Sequence, residues 1–75
     1  MIIPKEVSER ITKMVEENDP TLPMALERYK DFKYTSEEQL KRTTDPERRR
    51  VVQEKLDFYN SLVDYIESQL HQIKH

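Results

Sequence analysis

The sequence lacks the residues on which several common functional classes depend. It contains no cysteine, so neither a disulfide framework nor a cysteine-ligated zinc site is available. It contains no glycine, which excludes glycine-rich phosphate loops and disfavours sheets built from tight hairpins. No apolar run approaches the roughly 20 residues that cross a bilayer. These absences predict an all-α protein, which we expect to be soluble, cytoplasmic and not bound to a membrane.

Residues for catalysis are also scarce. The chain has two histidines, His71 and His75, whose spacing of four places them on one helical face near the end of the sequence. No acidic third ligand lies nearby, and because both histidines are near the C-terminus, we expect no Ser/His or Cys/His nucleophile arrangement. The paired carboxylates have no apolar surroundings that would raise a catalytic pKa. We therefore expect no enzymatic activity, no metal and no cofactor.

What the chain does contain is charge and a modest apolar fraction. Charged residues make up 37% of its 75 residues and hydrophobic residues 35%, with a net charge of −2. A single domain of this size buries only about 60% of the surface that its unfolded chain exposes, so its core is marginal. Without disulfides or zinc, oligomerisation is the remaining common source of extra stability. We expect one domain over residues 1–75 and a homodimer or higher homo-oligomer.

The strongest pattern lies in the C-terminal part of the chain. Asp45 is a suitable helix cap, and Pro46 suits the first helical position, where its missing N–H costs nothing. An apolar row then repeats at alternating spacings of four and three, which is typical of a coiled coil. The row comprises Val52, Leu56, Tyr59, Val63, Ile66, Leu70 and Ile73. These seven residues are the predicted interface.

A second apolar row runs beside the first on the same predicted helix. It comprises Val51, Phe58, Leu62 and Tyr65. Together the two rows cover about half of the helix circumference, which is wider than a two-stranded coiled coil requires. We expect one row to pack on the chain's own shorter helices. The other row would then contact a second copy of the chain or a different protein.

Start and stop signals divide the rest of the chain into three shorter helices. Thr21 is the predicted cap of the second helix, and Thr35 and Ser36 each begin a capping-box pattern that predicts a third helix. The predicted helices span residues 4–18, 22–33, 36–43 and 46–73, so three short helices would pack on one long C-terminal amphipathic helix. The inward face of the second helix is predicted to be Met24, Ala25, Leu26, Tyr29 and Phe32.

One segment is basic in an otherwise acidic chain. Residues 41–50 carry five basic and two acidic side chains, a local balance of +3. The basic residues are Lys41, Arg42, Arg48, Arg49 and Arg50. Because arginines early in a helix oppose its macrodipole, helix stability does not account for them. They are consistent either with an anion site or with a solvated turn paired with Glu37, Glu38 or Glu54.

These patterns lead to two functional expectations. The first is a small non-enzymatic protein that self-associates through its long helix and acts on another protein as an adaptor, regulator or inhibitor. The alternative is a binder of phosphorylated small ligands, nucleotides or nucleic acid through the basic turn. The sequence pI near 5.7 weighs against nucleic acid, because nucleic-acid-binding domains are usually basic across a whole face.

Overall fold

The computed structural model describes residues 3–73, except for the side chains of residues 72 and 73. Three α-helices make up this part of the chain: α1 (Lys5–Glu16), α2 (Thr21–Arg42) and α3 (Pro46–Ile73). No strand occurs within residues 3–73. The protein is an all-α helical bundle, as the sequence predicts. None of the helices in the described residues is long and apolar enough to cross a bilayer.

The number of helices differs from the prediction, because the segments predicted as helices 22–33 and 36–43 form one continuous helix. The capping boxes at Thr35 and Ser36 lie inside α2 and do not begin a new helix. Neither proline nor glycine interrupts the chain there, so the backbone hydrogen bonds continue. Ser36 is 1% exposed and packs within the bundle, so this part of α2 is held by tertiary contacts. The arrangement of three short helices on one long helix is therefore wrong.

The turn between α1 and α2 is closed by a Schellman motif. Asn18 has a φ of 53°, the left-handed conformation that asparagine tolerates better than most residues other than glycine. The amide of Asp19 donates to the Met14 carbonyl at 2.9 Å, and the amide of Asn18 donates to the Val15 carbonyl at 3.1 Å. Asparagine thus supplies the C-terminal cap in a chain without glycine.

Pro20 occupies the N-cap position of α2, and the side chain that accepts hydrogen bonds there is that of Asp19, whereas the sequence predicts Thr21 as the cap. The Asp19 Oδ1 atom accepts hydrogen bonds from the Thr21 amide at 2.8 Å and from the Thr21 hydroxyl at 2.7 Å. The hydroxyl bond and then the amide bond lower the pKa of Asp19, because both favour its ionised form. Thr21 is the first residue of the helix and acts as a donor to its cap.

The start of α3 agrees with the sequence prediction. Pro46 is the first residue of the helix, and the Asp45 Oδ2 atom accepts a hydrogen bond from the Arg48 amide at 3.3 Å. On the other side of the turn, the extended residue Thr43 ends α2, and its hydroxyl donates to the Gln39 carbonyl at 2.7 Å. The short connection folds α2 and α3 into an antiparallel hairpin.

The core lies at one end of this hairpin. Its buried side chains are Ile11, Val15, Leu22, Leu26, Leu62, Val63 and Ile66. On α2 the apolar cluster around these residues extends no further than Tyr29, and on α3 it begins at Phe58. Beyond those two residues, no third helix accompanies the hairpin within residues 3–73. This arrangement agrees with the elongated dimensions of 44 × 21 × 18 Å.

Candidate interaction surface

One side of the hairpin is the side on which α1 packs, and we call it the front face. The Tyr65 hydroxyl of α3 lies 2.8 Å from Thr12 Oγ1, and it donates to the Ser8 carbonyl of α1 at 3.4 Å. Phe58 lies seven residues before Tyr65, and Val51 lies seven residues before Phe58. Each step of seven residues rotates the side-chain position around the helix axis by only about 20°, so all three side chains lie on the front face. Val51, however, is 58% exposed.

The second helix contributes a matching row to the front face. Ala25 lines the groove between α1 and α2. Phe32 and Gln39 follow at steps of seven residues on the same side of α2. Phe32 is 41% exposed although the sequence predicts it to be inward, and its ring centroid lies 5.4 Å from that of Tyr59 on α3. We call Phe32, Gln39, Val51 and Phe58 the open end, because α1 does not reach the outer part of this surface.

Aromatic rings form the inner border of the open end. Tyr59 lies between the two helices, with its ring centroid 6.5 Å from that of Tyr29 and 5.6 Å from that of Phe58. Contacts of this kind contribute about 0.5–1.5 kcal/mol each beyond simple burial. The rings therefore hold α2 and α3 at a fixed separation where α1 ends. Phe32 therefore packs on Tyr59, and only part of its ring is exposed to solvent.

The opposite side of the hairpin is polar. Lys30 lies two residues before Phe32, and Glu67 lies two residues after Tyr65, so both are rotated by about 200° from the front face. Their side chains form an ion pair with an N–O distance of 3.4 Å. Tyr34, two residues after Phe32, is rotated away in the same manner and is 64% exposed. Of these two sides, the front face is the one on which exposed apolar side chains of the described residues continue an internal packing surface.

The predicted interface row lies mainly inside the single chain. Val52, Leu56, Val63 and Ile66 are buried against the chain's own helices. Tyr59 and Leu70 are half-buried, and the side chain of Ile73 lies outside the described residues. A second copy would reach the four buried residues only if α2 moved away. The interface role of this row stays a prediction, whereas the second row is the one that continues past α1.

Within the basic turn, Arg49 has a structural role. Its Nη1 atom donates to the carbonyl oxygens of Leu40 and Thr43, each at 2.8 Å. These carbonyls belong to the C-terminal end of α2, where the macrodipole favours a cation. Arg49 thus joins the end of α2 to the start of α3. Nothing in the spacing of the five basic residues distinguishes Arg49 from the others.

The other basic side chains divide into two groups. Lys41 donates to Glu38 at 3.0 Å, which raises the pKa of Lys41, and Arg50 lies 3.9 Å from Glu54. Arg42 and Arg48 make no side-chain hydrogen bond or ion pair with another described residue. The basic residues therefore do not converge on one empty position. Their role as an anion site stays a prediction.

The first turn of α3 already has its own anion, because the carboxylate of Asp45 bonds the amide of Arg48. An incoming phosphate would meet that negative charge at the helix N-terminus. Among the described residues, no group of three or more histidine, aspartate or glutamate side chains is arranged to hold a metal ion. His71 lies near the end of α3, and His75 lies outside the described residues.

Sequence reasoning missed the open end as a unit. The sequence pattern places Val51 and Phe58 in the second apolar row, but it predicts that Phe32 faces the inside of the protein. The signal available in the sequence is the step of seven from Ala25 to Phe32, which matches the step from Phe58 back to Val51.

Comparison of the chain with protein-family models, curated proteins and solved structures found no match.

Proposed function

We propose that this chain is a non-enzymatic protein that associates with a second copy of itself through the open end and acts by protein–protein binding. The observation that carries the proposal is the half-covered front face. The same apolar rows that pack on α1 continue past it to Phe32 and Val51, which are 41% and 58% exposed. Isolated exposed apolar residues are normal, but these two continue an existing packing surface.

The outer part of the hairpin buries few side chains. From Tyr29 to Arg42 the second helix extends about 20 Å, at 1.5 Å per residue. Over this length the buried residues are Ser36 on α2 and Val52 and Leu56 on α3. Helices derive most of their stability from packing an apolar face, so this segment gains from an additional partner. Complete burial of a fully exposed phenylalanine contributes about 1.5–3 kcal/mol, and because Phe32 is 41% exposed, covering its remaining surface would contribute less than half of that.

A second copy is a suitable partner because its open end has the same character. Two hairpins placed front to front would form a four-helix bundle at their outer ends. In each copy α1 would flank that bundle, and the polar side with Lys30 and Glu67 would remain in water. A symmetric contact buries the same patch on both copies and closes after two subunits. The predicted heptad row would then support the dimer from inside each chain.

The proposal is tested by a pair of substitutions on α2. Phe32→Glu places a carboxylate on the open end, whereas Tyr34→Glu places one on the opposite side of the same helix. Both replace an exposed aromatic residue at a helical position with an equal change in charge. We expect Phe32→Glu to lower the dimerisation affinity at least about tenfold, because an unpaired charge would be buried. Tyr34→Glu should leave the affinity unchanged.

The measurement is the dimer dissociation constant from sedimentation equilibrium, with circular dichroism to verify that both variants remain helical. Val51→Glu provides a second position on α3 and should have the same effect as Phe32→Glu. If all three variants dimerise as tightly as the parent protein, the open end is not the contact surface. If the parent protein is monomeric, self-association itself is wrong.

A further inference from the structure

A groove between α1 and α2 lies at the covered end of the front face. Its volume is about 330 Å³, and buried Leu22 and Ile66 form its floor. Val7 and Met14 of α1 line one wall. The space exists because α2 has an alanine, Ala25, at a position where a larger side chain would fill it. A volume near 300 Å³ is at the lower end of the range for small-molecule sites, which are also mainly apolar.

The charge around this groove has one sign. Arg10 is the charged residue that lines it, and Arg28 lines a second depression that also borders Ala25. No aspartate or glutamate of the described chain lines either depression. The Arg10 and Arg28 side chains, like several other basic side chains of the chain, make no hydrogen bond or ion pair with another described residue. One guanidinium group thus borders the apolar groove, and a second borders the adjoining depression on the other side of Ala25.

We infer that this groove binds a small anionic amphiphile, with its apolar tail on Leu22, Ala25 and Ile66 and its carboxylate near Arg10 and Arg28. The tail would leave water for a surface that is already apolar. Guanidinium groups bind carboxylates through charge-assisted hydrogen bonds, which are about twice as strong as neutral ones. The inference is independent of the proposed dimer, because the open end lies beyond the groove.

The test measures thermal unfolding of the full chain with decanoate, decan-1-ol and acetate, each below the concentration at which it forms aggregates. Decanoate should raise the melting temperature by an amount that grows with the logarithm of its concentration above Kd, since a ligand of the folded state stabilises it. Decan-1-ol has the tail without the charge and should bind about tenfold more weakly. Acetate has the charge without the tail and should have no effect.

Three variants locate the binding. Ala25→Leu fills the groove and should abolish the decanoate effect, while the double variant Arg10→Gln with Arg28→Gln should weaken decanoate about tenfold and leave decan-1-ol unchanged. Arg48→Gln removes an arginine at the far end of the hairpin and serves as the control. If Ala25→Leu does not fold, chemical-shift changes of the Ala25 methyl group in the parent protein locate the tail instead.

Two results would overturn the inference. One is a decanoate effect that is undiminished in the double arginine variant, or that leaves the Ala25 methyl resonance unchanged. The other is sedimentation of the protein with vesicles of anionic phospholipid without any response to free decanoate, which would identify a lipid surface as the ligand. Neither result bears on dimerisation, which the variants at Phe32 and Val51 test separately.

Discussion

The contact of Arg49 with the end of α2 leads to a quantitative prediction. Replacing Arg49 by methionine keeps an unbranched side chain of similar helix propensity and removes both hydrogen bonds, to the carbonyls of Leu40 and Thr43. Hydrogen bonds from a charged group contribute about 1.5–3 kcal/mol when partly buried, and a cation at a helix C-terminus about 0.3–1 kcal/mol. Because Arg49 is exposed, its contribution should lie at the lower end of these ranges, and we expect the free energy of unfolding to fall by about 1.5 kcal/mol.

For a domain of this size, that loss lowers the melting temperature by roughly 6–12 °C. Far-UV circular dichroism during heating and urea unfolding provide the assay. Arg48→Met is the matched control, because Arg48 is the neighbouring arginine and has no side-chain partner among the described residues; its effect should be within about 0.5 kcal/mol. Equal effects of the two substitutions, or no effect of Arg49→Met, would refute a structural role for Arg49.

Three further predictions concern individual contacts. The pKa of Asp19 is lowered by its hydrogen bonds from Thr21, so the stability it contributes is present at neutral pH and is lost as pH falls through the folded-state pKa, below 3.8. Asp19→Ala should therefore lower the melting temperature at pH 7 and progressively less as the pH is lowered below 3.8; a loss that does not change with pH would contradict this. Ser36→Leu should destabilise the protein by about 1–3 kcal/mol in urea unfolding through overpacking, whereas Thr35→Leu, on the exposed side, should not. Tyr65→Phe removes the hydroxyl that bonds α1 and should increase amide hydrogen exchange in α1 more than in the outer part of α2 and α3; a uniform increase would argue against a separate role for this contact.

The helices were predictable to the extent that local signals decide them. The start of α3 at Pro46 follows from the Asp45 cap and the missing N–H of proline, and the structure confirms both. The break predicted near Thr35 was wrong, because a capping box is effective only when the preceding residue leaves the helical conformation. No residue there requires that. Packing on α3 therefore keeps the backbone helical through Ser36 and onward to Arg42.

The candidate surface was predictable only in part, for a different reason. Apolar spacing identifies which side chains leave water, but it does not identify what covers them. The row from Val52 to Leu70 has the pattern of an intermolecular coiled coil, and the chain's own second helix covers most of it. Whether Phe32 is covered depends on where α1 ends, which is a property of the assembled bundle. The contact of Arg49 with Leu40 likewise depends on how the turn brings α2 and α3 together.

The central claim is that the open end is an apolar contact surface between two copies of the chain. The most direct test is the mass of the parent protein in solution, measured by light scattering over a range of concentrations at about 0.05 and 0.5 M salt, which differ strongly in screening. If the open end is this contact surface, the measured mass should rise with concentration to twice the 9.1 kDa chain mass, and it should be nearly independent of salt. A mass of 9.1 kDa at every concentration, or a dimer that dissociates as salt rises, would contradict it.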